Sequence, residues 1–87
     1  KNLSSDAEVE EIAEREWRLH ITRLALDEVR KRFSTQVMAV FEAFLDGKTG
    51  EQVAKENGVN ASSVYTYKMR VQNAVYKEII RLNQELN

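Results

Sequence analysis

Apolar residues recur along the chain at steps of three and four positions, the spacing of helices with one buried face. In the first part of the chain this repeat predicts one long helix, or two abutting helices, over about residues 6–32. Its apolar positions are Val9, Ile12, Trp17, Ile21, Leu24, Ala25, Val29 and Phe33. A second helix is predicted from a cap at Ser34 or Thr35 to about Asp46, where Gly47 ends it. Its stripe consists of Val37, Val40, Phe41, Phe44 and Leu45.

The stretch GEQVAKENGVNASSVYTYKM, residues 50–69, predicts a short helix, a tight turn and the start of another helix. Thr49 can cap the short helix, with Gln52 as the reciprocal partner of a capping box. Gly58 can adopt a positive φ without steric cost, so the helix should stop just before it. Asn60 is placed to cap the following helix through its side-chain oxygen.

Small and apolar residues form the inner face of this pair of helices. They are Val53 and Ala54 in the first helix, Val59 in the turn, and Val64 and Tyr67 in the second helix. Ala54 is predicted to lie where the helices cross, because a side chain larger than a methyl would hold them apart. This order of residues is typical of a helix-turn-helix motif that enters DNA.

The last helix is predicted to continue from Ala61 to about Glu85, because one apolar stripe stays in register over that length. The stripe consists of Val64, Val71, Val75, Ile79, Leu82 and Leu86. Its far half needs a partner, and the first helix offers Trp17, Ile21 and Leu24. A second apolar line consists of Tyr65, Met69, Tyr76 and Ile80. Its first half should face DNA, and its second half is free to face a protein.

The composition fits one small, all-α domain of four helices with a long C-terminal recognition helix. The 87 residues suffice for one domain, and the absence of proline removes the strongest helix breaker. We divide the chain into residues 1–14, an acidic linker or helix extension, and residues 15–87, the helix-turn-helix domain. The chain begins at Lys1 without a methionine, which suggests a piece of a longer protein.

Charge is unevenly distributed, although the net charge is only −1. Residues 1–14 carry one lysine against five acidic residues, and residues 59–87 carry four basic against two acidic residues. Phosphate neutralisation supplies most non-specific DNA affinity, so the affinity of the domain alone should be low. With Lys68, Arg70 and Lys77 as the main positive charges of the reading helix, the domain should bind DNA as part of a larger assembly.

Several chemistries find no support in the sequence. The chain has no cysteine and one histidine, His20, so neither a metal site nor a cofactor is expected. No Ser-His-Asp set and no phosphate-binding glycine loop is present, so we expect neither an enzyme nor a small-molecule substrate. No apolar run approaches the roughly 20 residues of a membrane span. A cytoplasmic protein without membrane contact is expected.

Residues 33–82 resemble region 4 of sigma-70 family RNA polymerase sigma factors, in particular the extracytoplasmic-function (ECF) type. The shared residues are LDGKT at 45–49, EQVAKENGV at 51–59 and VY at 64–65, followed by Lys68, Arg70 and Val71. The resemblance implies that this domain binds the promoter minus-35 element in duplex DNA. It also implies docking on the flap of RNA polymerase core and possible occlusion by an anti-sigma factor.

The resemblance also implies roles for individual residues. The expected DNA base contacts are Tyr65, Thr66, Met69 and Arg70. The expected DNA phosphate contacts are Thr49, Asn60, Ser62, Ser63 and Lys68. The chain departs from the family pattern at Tyr65 and Tyr67, where many relatives have Lys or Arg, and at Gly50, where a larger residue is usual. The recognised base sequence therefore does not carry over from relatives.

Two alternatives remain open. A response-regulator output domain has the same helical plan and would normally dimerise through its last helix. A helical protein-interaction module would instead bind a partner helix along Tyr76 and Ile80 and never touch DNA.

Overall fold

The computed structural model describes residues 5–86, which form four α-helices and no strand. The helices are α1 (Asp6–Arg30), α2 (Thr35–Leu45), α3 (Gly50–Asn57) and α4 (Ala61–Leu86). The predicted all-α class is therefore confirmed. α1 is one continuous helix, and it ends two residues earlier than the apolar repeat suggested. The described part leaves out residues 1–4 of the predicted acidic segment and residue 87 at the end of the predicted domain. Within the predicted acidic segment, Asp6 to Glu14 form the beginning of α1.

Local hydrogen bonds begin and end the helices largely where the sequence predicts. The hydroxyl of Ser34, the first of the two predicted candidates, caps α2 by accepting from the Val37 N–H at 3.2 Å. Thr49 and Gln52 form the predicted capping box of α3. The chain leaves α3 through Gly58 at φ +66°, in the left-handed region that glycine favours.

Two clusters of buried side chains form the core, and α2 contributes to both. The first joins α1, α2 and α4 through Val29, Met38, Phe41 and Val71. The second joins α2, α3 and α4 through Val40, Val53 and Val64. Ala54, Val59 and Tyr67 are half-buried and pack against the second cluster, as the inner-face prediction requires.

α1 packs along α4, which confirms the predicted partner for the far half of α4. Ile21 and Ala25 are buried, and the Trp17 indole N–H donates to Asn83 Oδ1 at 3.0 Å. Asn83 lies within the last turn of α4, so the part of α1 before Trp17 extends past that helix. Val9 and Ile12 continue the apolar repeat but are exposed for this reason, since no described residue covers them.

Glu78 is a buried charge on the inner face of α4, in line with Val64 and Val71. It is only 2% exposed. Its carboxylate accepts from Arg32 Nη2 at 2.7 Å and from Arg81 Nε at 2.9 Å. These bonds, led by the one from Arg81, hold the pKa of Glu78 below its ordinary value although burial acts in the opposite direction. Arg32, Glu78 and Arg81 thus connect the segment between α1 and α2 to α4.

Candidate nucleic-acid interface

The turn between α3 and α4 is held by backbone and amide hydrogen bonds. The Ala54 carbonyl accepts from the Gly58 and Val59 N–H groups, the second at 3.1 Å. The Asn57 side-chain amide donates to the Val53 carbonyl at 2.9 Å. Residues 58–60 therefore form a short connection with few free polar groups, which fixes where α4 starts relative to α3.

Asn60 caps α4 as predicted. Its Oδ1 accepts from the Ser63 N–H at 2.8 Å and from the Ser62 hydroxyl at 2.8 Å. The Thr66 hydroxyl donates to the Ser62 carbonyl at 3.0 Å. These bonds order the first turn of α4, in which Ala61 and Ser62 are exposed, Ser63 is half-buried and Val64 is buried.

One face of α4 is exposed from Thr66 to Lys77, and we call it the outer face. It comprises Thr66, Met69, Arg70, Asn73 and Lys77. The opposite face carries Val64 and Val71, both fully buried. Three of the four predicted base contacts thus lie together on the outer face. The fourth, Tyr65, is 52% exposed but lies at the margin of this face, against α2 and α3.

Tyr65 and Lys68 both contact Phe44 of α2. The Tyr65 and Phe44 ring centroids are 5.9 Å apart, and the Lys68 ammonium lies 4.7 Å from the Phe44 centroid. The Tyr65 phenol also covers Gly50, which is buried at the start of α3. The sequence did not indicate Phe44 and Gly50 as supports of this surface, because both are distant in sequence from Tyr65.

The predicted phosphate contacts divide into two kinds. The side chains of Thr49, Asn60 and Ser62 already form intramolecular hydrogen bonds at helix starts. Ser63 is half-buried and uses its backbone N–H in the Asn60 cap. Lys68, which was also expected to contact phosphate, is half-buried and packs on Phe44. It therefore does not lie on the outer face. All five positions lie at the start of α3 or along the first part of α4.

The outer face is positively charged and locally free of acidic residues. Residues 57–77 contain no Asp or Glu, a signal that can be read directly from the sequence. Within residues 5–86, neither Arg70 nor Lys77 forms an ion pair. Residues 15–33 also carry more basic than acidic residues, six against three. Four of those basic residues, Arg18, Arg30, Lys31 and Arg32, form ion pairs with acidic neighbours. Available cationic groups are thus a feature of α4 rather than of the end of α1.

Other kinds of site find little support. Among residues 5–86, no cluster of His, Asp or Glu could hold a metal ion. In the same part of the chain, no helix is both long enough and apolar enough to cross a membrane. No family model, curated protein or solved structure matches this chain. Function therefore has to follow from the residues and their geometry.

Proposed function

We propose that α3, the turn at residues 58–60 and the first half of α4 form a DNA-binding helix-turn-helix motif. The observation that carries the proposal is the outer face of α4, where Arg70 and Lys77 form no ion pair with any residue of 5–86. The sequence also contains no acidic residue from 57 to 77. Buried Val53 and Val64 anchor the two helices behind this face. A rigid helix that presents Arg70 and hydrogen-bonding groups such as Thr66 suits the width and donor pattern of the major groove.

Within this class, we propose that the chain is the region 4 domain of an ECF-type sigma factor. The support is the resemblance of residues 33–82, whose motif residues fall on α2, α3, their connections and α4. In this proposal α4 reads the promoter minus-35 element and directs RNA polymerase to initiate transcription in the cytoplasm. Thr66, Met69 and Arg70 contact bases, and groups at the starts of α3 and α4 lie near phosphates.

Weak intrinsic affinity is part of this proposal. The net charge of −1 and the presence of only Arg70 and Lys77 as cations on the outer face, as described within residues 5–86, allow few phosphate contacts and little counterion release. Tethering to RNA polymerase raises the effective concentration of the domain at the promoter without any new DNA contact. The flap of the polymerase core is the expected anchor, and an anti-sigma factor is the expected competitor. We expect the isolated chain to bind minus-35 duplexes only at micromolar concentrations or above.

A binding selection on duplexes with a randomised central segment tests the proposal. The chain should enrich one short, non-palindromic motif, and Arg70→Ala should weaken preference at one base pair of it. Enrichment of a palindrome would favour the response-regulator alternative, because a dimer reads two symmetric half-sites. No enrichment at low salt, where electrostatic contacts are strongest, would rule out DNA reading.

A protein-interaction module is the second candidate function. The observation in its favour is that Tyr76 and Ile80 are 60% and 57% exposed, next to each other on α4. In the sigma-factor proposal this pair lies beyond the part of α4 that enters DNA. In the alternative, this pair is the whole functional surface and the chain selects no DNA motif. If the first proposal is correct, the double variant Tyr76→Ser with Ile80→Ser should select the same DNA motif as the natural chain.

A further inference from the structure

Gly50 differs from the other two glycines of the chain in the reason for its presence. Gly47 and Gly58 have φ values of +89° and +66°, a backbone conformation that other residues rarely adopt. Gly50 does not have a positive φ, and it occupies the first position of α3, where alanine is a better helix former. Its backbone therefore does not require glycine.

Space is what Gly50 provides. A Cβ atom at this position would lie 2.5 Å from Tyr65 Oη, 2.7 Å from Tyr65 Cζ and 3.1 Å from Tyr65 Cε2. Carbon atoms in contact are normally about 3.5–4.0 Å apart, so even a methyl group and the present ring position exclude each other. The Tyr65 ring thus lies where a side chain at residue 50 would be.

Phe44 is a second neighbour of the same ring. The Phe44 and Tyr65 rings are tilted by 41° with centroids 5.9 Å apart, within the range of favourable aromatic pairs. Gly50 and Phe44 together place the Tyr65 ring against α2 and α3. If a methyl group were added at residue 50, the ring would be the part to move, because its tip is the free end of a half-exposed side chain and Gly50 is buried backbone.

A displaced Tyr65 ring has exposed residues of α4 beside it, among them Ala61 and Ser62 in the preceding turn. Side chains on a helix point back towards the preceding turn, so a ring that leaves Gly50 and Phe44 would lie over Ser62 in the first turn of α4. Ser62 is exposed and belongs to the part of α4 that enters the groove in the proposed function. In that position the ring would either cover Ser62 or contact bases itself, and in its present position it does neither.

We infer that Gly50 is a positioning residue that determines DNA sequence preference by setting the place of Tyr65. This inference rests on the proposed function for its consequence at DNA, and on the contacts of Gly50 and Phe44 for the conformation itself. G50A should shift Tyr65 from its pocket towards the first turn of α4. The preferred base at the positions that this turn reads should change, while the fold stays intact.

Two measurements test the conformational step and the DNA step separately. In NMR spectra of the isotopically labelled chain without DNA, Tyr65 ring protons should show cross-peaks to Gly50 Hα and to the Phe44 ring. G50A should remove the cross-peaks to Phe44 and leave the helical circular dichroism signal unchanged. Selection on randomised duplexes should then show a change of about fivefold or more in base preference at one or two positions, the size expected of a gained or lost base contact.

The matched control places the same glycine substitution in a chain without the ring. If Gly50 acts through Tyr65, G50A should change base preference in the natural background and should have no effect in the Y65A background. An equal change in both backgrounds would overturn the inference, as would retention of the Tyr65–Phe44 cross-peaks in G50A. Loss of the cross-peaks with an unchanged motif would also overturn it. If the natural chain enriches no motif, the proposed function and the DNA step fail together, and the NMR result alone decides whether Gly50 sets the Tyr65 position.

Discussion

Replacement of Val53 by alanine is the most direct test of how α3 is held in the domain. An isolated helix as short as α3, which has eight residues, is not stable in water, so α3 depends on its packing. Val53 is fully buried and is the side chain that α3 contributes to the second core cluster. Val53→Ala removes two carbon groups from this cluster without adding any polar atom.

The expected cost follows from the burial of those two groups. At about 0.8 kcal/mol for each buried carbon group, the lost transfer free energy is about 1.6 kcal/mol. A cavity that the surrounding helices fill only partly brings the total to about 2–3 kcal/mol. For a domain of this size, such a loss lowers the melting temperature by about 10–20 °C.

Urea unfolding followed by circular dichroism measures this difference, with Val9→Ala as the matched control. Val9 lies in α1 and is 47% exposed, so the same atoms are removed from a helix without opening a cavity. The higher helix propensity of alanine contributes similarly to both variants and cancels in the comparison. Equal free energies of unfolding for the two variants would mean that Val53 is not in the core and that the register of α3 is wrong.

Three further predictions address the helix crossing, the buried charge and the outer face. Ala54→Leu should cost about 1–3 kcal/mol by overpacking against the second cluster, and an unchanged melting temperature would show that Ala54 does not lie where α3 and α4 approach each other. The pKa of Glu78 is lower in the folded chain than in the unfolded chain. The contribution of Glu78 to stability is therefore complete above the ordinary pKa of 4.5 and is lost as the pH falls below that value. Glu78→Gln should flatten the acid side of the plot of stability against pH, and parallel plots for the variant and the natural chain would contradict this. Arg70→Ala should cost about 1–3 kcal/mol on the preferred DNA site and relax one base pair, whereas Lys77→Ala should weaken all sequences about equally; uniform loss from Arg70→Ala would contradict the base contact.

Helix ends could be predicted from sequence because the interactions that form them are local. The Thr49 capping box is closed by Gln52, three residues away, and the turn at Gly58 follows from the freedom of one residue to adopt a positive φ. A motif of this kind is decided within one turn of chain, so residue identity and spacing suffice. The same reasoning identified Asn60 as the cap of α4, which begins at Ala61.

Contacts between distant residues were the part that sequence could not supply. Glu78 lies seven residues after Val71, on the same face as the apolar stripe of α4, but a charged residue is rarely buried unless it is paired, and its partners could not be read from the sequence. Its main partner from another element, Arg32, lies 46 residues earlier, and only the packing of α1 along α4 brings the two together. Arg30 of α1 likewise pairs with Glu42 of α2, twelve residues later, and this contact also depends on how the helices pack.

The candidate site was predictable in outline and not in detail for the same reason. Helical periodicity alone brings Thr66, Met69 and Arg70 onto one face of α4. The place of Tyr65 depends on Gly50 and Phe44, which belong to two other helices and carry no sequence signal of a shared site.

In the sigma-factor proposal, the contact between Gly50 and Tyr65 links two of the three positions at which the chain departs from the family pattern. The sequence differs from the family it resembles by a small residue at Gly50 and by an aromatic residue in place of a basic one at Tyr65, and these two positions touch. A larger residue at position 50 would fill the space that the ring occupies, and a long basic side chain at position 65 would leave that space empty. Each change is therefore accommodated by the other. If the chain is a region 4 domain, base recognition at the start of α4 depends on this pair as a unit, and neither residue can be carried over from relatives singly.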